Sequence, residues 1–163
     1  MSLIFKTEGF EELNDQLIAL ARDIRSADEF KGFKKILSMS TRKALNPLAD
    51  NVKARAPYDG NRPANKSNQP HLKNTVRVDT RIPTAQDKKS IMVNESDAYI
   101  GIVSVKKSAV SLSQEFGNAR TDAQPYLRIA AESGREQATS ILKSELSQRI
   151  PAYIKSLSKS RAK

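Results

Sequence analysis

The chain has 163 residues, a net charge of +10, no cysteine, one histidine and 38% apolar residues. That length suits one domain with a sizeable core. The missing thiols exclude disulfides and cysteine metal sites, and with His71 alone an imidazole-rich metal centre is excluded too.

No apolar run approaches the roughly 20 residues of a membrane span, and no basic-then-apolar leader opens the sequence. A soluble protein with no membrane contact is expected. The charge is uneven: residues 1–30 hold three basic and seven acidic side chains, a net of −4, and the rest carry +14. Such asymmetry concerns partners and not fold. It suits nucleic acid, an acidic protein face, or head-to-tail association of copies.

Residues 3–7 suit a short strand. Leu13, Leu17, Leu20 and Ile24 recur at helical spacing and predict an amphipathic helix over about 10–24. Ser26 followed by Glu29 is a capping-box pattern, so a second helix starts there. Phe33, Ile36, Leu37, Ala44, Leu45, Leu48 and Val52 give it one apolar face, and Pro47 predicts a kink or break near residue 46.

Residues 57–72, PYDGNRPANKSNQPHL, carry three prolines, Asp-Gly and three asparagines, which reads as a loop. It exceeds the usual connection inside a compact domain, as an arm that docks on a neighbour or a solvated loop would. Strands are expected over 75–82, where Val76, Val78 and Thr80 alternate with charged residues, then over 90–94, 99–105 and 109–116. Gly117 permits the turn that follows, Asp122 can cap the next helix, and Pro125 suits its first turn. That helix carries Leu127, Ala131, Ala138, Ile141, Leu142, Leu146 and Ile150, should bend or end at Pro151, and leaves a fraying basic tail from Arg149 to Lys163. The expected fold is α+β: a small antiparallel sheet of three to five strands against two N-terminal helices and one long C-terminal helix. One domain spans 1–148 with the arm at 57–72, and 149–163 form a basic tail or helix extension.

The search for catalysis is mostly negative. There is no phosphate loop, dinucleotide fingerprint, zincin motif or nucleophile elbow. Asp59-Gly60 is better explained as a turn than as part of a calcium loop. His71, amid Lys66, Lys73 and Arg77, could act in a metal-independent ribonuclease, but no second histidine supports it. No enzyme and no cofactor are expected.

Four stretches in order resemble the head–tail joining and tail-completion (neck, minor tail) proteins of long-tailed bacteriophages. They are Gly9-Phe10-Glu11-Glu12-Leu13; Ala56-Pro57-Tyr58-Asp59-Gly60; Gln114-Glu115-Phe116-Gly117-Asn118; and Gln124-Pro125-Tyr126-Leu127-Arg128-Ile129-Ala130. The resemblance covers roughly residues 3–145. Asn118 stands where threonine is usual, and the loop after Gly60 is longer than the common form. The resemblance implies a non-enzymatic virion protein of the tail or neck, made in the bacterial host cytoplasm. It would form a homo-oligomeric, six-fold ring around the DNA channel. Portal or connector-side proteins and tail tube or terminator proteins would be its neighbours, with nonspecific contact to genomic DNA. A small basic nucleic-acid-binding protein is the alternative. Interface residues under this reading are Asp59, Arg62, Lys66, His71, Glu115, Phe116, Arg120 and Arg128, with Glu115 and Arg120 as an intersubunit pair and Phe116 packed on the core side. Pro57, Gly60, Gly117, Asp122 and Pro125 serve turns and caps.

Overall fold

The computed structural model describes residues 2–4, 17, 20, 22–58, 70–90, 93 and 99–162. Helix α1 runs over Ala27–Arg55 and opens as the capping pattern requires: Glu29 N–H donates to Ser26 Oγ at 3.2 Å. The Glu29 carboxylate reaches back one residue further than a standard capping box, accepting from Arg25 N–H at 2.7 Å. Pro47 does not break α1. An interior proline costs about 3 kcal/mol, but here it is flanked by buried Ala44, Leu45, Leu48 and Ala49, whose packing requires the helix to continue.

The sheet has the order β1-β3-β2, with β1 at Ser2–Ile4, β2 at Arg77–Arg81 and β3 at Ile100–Ser104, all neighbours antiparallel. Its body is the five-residue pair β2–β3, with Val78 opposite Val103 and Arg81 opposite Ile100. Short β1 lies along the other side of β3, with Leu3 opposite Val103. Both faces of β3 are covered. Val103 and Val105 join Leu45, Leu48, Ala49 and Val52 of α1, while Ile100 and Ile102 cluster with Val93. The sheet meets α1 at Gly101, where a Cβ would sit 2.4 Å from Thr41 Cγ2, and Ser38 and Thr80 share a 2.9 Å hydrogen bond beside it.

The expected fold needs correction: in place of a sheet of three to five strands against two N-terminal helices and one C-terminal helix, three helices pack against the two-stranded antiparallel pair β2–β3, to which β1 adds only three residues. Among the described residues one N-terminal helix is delineated, and 109–116, expected as the last strand, is helix α2 (Ala109–Phe116). The reason is local. Ser108 and Ser111 form a reciprocal capping box, with Ser111 N–H to Ser108 Oγ at 3.0 Å and Ser108 N–H to Ser111 Oγ at 2.8 Å. The expected helix over 10–24 lies mostly outside the described residues, although Leu17, Leu20, Arg22 and Asp23 are helical. The expected strand over 90–94 also falls largely outside them.

Helix α3, Tyr126–Arg161, passes through Pro151 without ending, and the expected fraying tail is its last turns. Ile150 and Leu157 are buried there with Leu20 and Phe33, which holds the extension to the body. α3 runs antiparallel to α1. Asn51 Nδ2 donates to Ser133 at 2.9 Å, Lys43 Nζ to Glu145, and the Tyr153 hydroxyl to the Glu29 carbonyl. Glu145 also accepts from Arg149 Nε at 2.9 Å, and the two cations, Lys43 first, hold its carboxyl below the usual range. No described helix is long and apolar enough to cross a membrane.

Candidate assembly site at the α2–α3 corner

The corner begins with α2, whose buried side chains are polar: Ser111 and Glu115, one turn apart and each 1% exposed. Burying a carboxylate is costly unless it is paired and hydrogen-bonded. Glu115 meets both conditions. It accepts from the N–H groups of Leu127 (2.9 Å) and Arg128 (3.1 Å), the orphan donors at the start of α3, and from Arg128 Nε at 3.0 Å. Arg128 Nη2 also donates to the Glu115 backbone carbonyl at 2.9 Å. One carboxylate thus caps a helix from a different helix and fixes an arginine.

The connection is equally constrained. Gly117 adopts φ 75°, and a Cβ there would lie 3.0 Å from Ala123 N. Asn118 and Thr121 exchange backbone hydrogen bonds of 2.9 and 3.3 Å, and Asn118 Oδ1 accepts from Arg120 N–H at 2.8 Å, closing a tight turn. Gln124 N–H then donates to the Gln114 carbonyl at 2.6 Å, and Pro125 leads into α3. Behind the corner, burial and then the Glu115 charge push the Tyr126 phenol up to about 12.

Several expectations change. Glu115 is buried and pairs with Arg128 inside the chain, so the intersubunit Glu115–Arg120 pair does not stand; Arg120 is exposed, and among the described residues it is engaged through its backbone N–H. Asp122 is exposed and makes no capping bond to α3 among the described residues; α3 has no local side-chain cap, and Glu115 does that work from twelve residues upstream. Phe116 is not on the core side: it is 59% exposed, with the Arg128 guanidinium 5.3 Å from its ring centroid. The corner therefore presents a half-exposed Phe–Arg pair whose arginine is held from behind.

The remaining named residues lie elsewhere. Pro57 is half-buried just past α1, and His71 precedes a short 3-10 turn over Leu72–Thr75. Asp59, Gly60, Arg62 and Lys66 lie outside the described residues. His71 and Tyr58 come together with ring centroids 4.7 Å apart, and Lys73 Nζ sits 3.6 Å from the centre of the Tyr58 ring. Tyr58 had no signal as a site residue beyond its place after Pro57. Among the described residues no group of acidic and histidine side chains could hold a metal ion. Comparison with protein-family models, curated proteins and solved structures gave no match.

Proposed function

We propose that the chain is a structural component of a bacteriophage tail or neck, acting by assembly into a ring around the DNA channel. The observation that supports this most is the behaviour of the two strongest motif stretches, Gln114–Asn118 and Gln124–Ala130. They form one interlocked corner through Glu115, Gly117 and the α3 N-terminus. Residues that resemble a family signature thus account for one another physically, and the side chains they leave exposed include an aromatic, Phe116, and an arginine, Arg128, in contact with each other. Phenylalanine and arginine are both enriched at protein interfaces. Portal or connector-side and tail tube or terminator proteins are the expected neighbours, and no catalytic step is involved.

Immunogold labelling of phage particles from cells carrying the gene tests the reading. Label at the head-proximal end of the tail is expected, and unlabelled particles would overturn it. Phe116→Ala, at an exposed position, should leave the melting temperature unchanged while lowering the yield of joined particles. Full joining by that variant would remove the corner from the interface.

A further inference from the structure

At the C-terminal end of α1 three chain segments converge, covering 55–58, 70–77 and 104–108. Ala56, Leu72 and Val105 share one apolar cluster, Arg77 lies opposite Ser104 in the sheet, and Lys106 N–H donates to Thr75 Oγ1 at 3.4 Å. These segments carry Arg55, Lys73, Arg77, Lys106 and Lys107 and no acidic residue. No ion pair among the described residues engages any of the five. Arg55 leans on a neutral acceptor, Asn51 Oδ1, at 2.8 Å. Lys73 is placed over the Tyr58 ring, which orients the ammonium without neutralising it. Among the described residues the arrangement gathers positive charge with no acidic partner.

We propose that this end of the molecule binds the phosphodiester backbone of duplex DNA without reading its sequence. Lysine is depleted in protein–protein interfaces, whereas strings of unpaired cations suit phosphates. Tyr58 is 55% exposed, but Lys73 sits over one face of its ring and His71 packs against it at a tilt, and a single ring of this kind is short of the series of stacking aromatics that single-strand binders use. The site belongs to a single chain and stands whether or not a ring forms.

Fluorescence anisotropy of the full chain with a short labelled duplex tests it. Three to five phosphate contacts predict a log K against log[salt] slope of about −3 to −4.5 between roughly 50 and 200 mM salt. The double variant Lys106→Ala/Lys107→Ala, at exposed positions, should weaken binding at least tenfold at low salt and flatten the slope by about 1.8. Lys155→Ala/Lys159→Ala, at the far end of α3, should change neither by comparable amounts. Four results would overturn the site: no binding at low salt; equal losses from both double variants; tighter binding to a single strand of the same length; or loss of self-association, by sedimentation, with DNA affinity retained. Melting curves of both variants establish that folding is intact.

Discussion

Glu115 shows how much a single buried charge can organise. Its carboxylate satisfies two α3 amides and holds Arg128, so replacing it with glutamine keeps the shape and removes the charge. Hydrogen bonds to charged groups contribute about 1.5–3 kcal/mol each, but Arg128 is half-exposed and water can take over part of its interaction. Glu115→Gln should therefore cost about 1–3 kcal/mol of folding stability. Urea denaturation measures this directly, and an unchanged midpoint would show that the cap contributes nothing. Gly117→Ala acts on backbone instead. With φ 75° and ψ 173° the residue sits in a region essentially reserved for glycine, which costs a side chain about 1–3 kcal/mol, and the contact with Ala123 N adds to it. The variant should lose at least that much in the same assay, with no change in the far-ultraviolet helix signal.

At the scale of elements, α1 and α3 meet through a small residue. A Cβ on Gly134 would lie 2.7 Å from Leu48 Cδ1, and Leu48 is 1% exposed with little space to swing into. Alanine would gain about 1 kcal/mol in helix propensity, against about 1–3 kcal/mol for overpacking. Packing should win, and Gly134→Ala should unfold at lower temperature; a higher melting temperature would mean that Leu48 repacks freely. These two helices were legible in the sequence because their apolar residues recur at helical spacing over many turns. α2 was not. Val110, Leu112 and Gln114 alternate like a strand, but the residues facing inward are Ser111 and Glu115, and Val110 and Phe116 are exposed. An apolar pattern cannot reveal a helix whose buried side is polar. Nor could Asp122 be rejected as a cap, since the true cap lies twelve residues upstream of the amide it satisfies. The two prolines misled for a related reason: local propensity is outweighed where both sides of the break are packed.

At the scale of the whole molecule, the last helical turn is tied to the start of α1. Arg161 reaches Glu29 at 2.9–3.0 Å and Asp23 at 2.8 Å. The Arg161 hydrogen bond, followed by that of Arg25 N–H, holds the Glu29 carboxyl down to about 2 from an ordinary 4.5. A depressed carboxylate stabilises the fold above its unfolded value and loses that contribution as pH falls through its folded value. Stability should therefore decline from about pH 4.5 towards pH 2, and the decline should be shallower in Glu29→Gln. Identical acid profiles would exclude the clasp as a contributor. The antiparallel pairing of α1 with α3 also has a consequence for synthesis. The ribosome finishes α1 about a hundred residues before its partner helix is complete, an interval of roughly 5–20 s at ordinary elongation rates. Throughout it the face carrying Phe33, Leu48 and Val52 lacks its covering helix. Newborn chains should accordingly be clients of ribosome-associated chaperones, and stalling translation just after Arg55 should yield an aggregation-prone fragment.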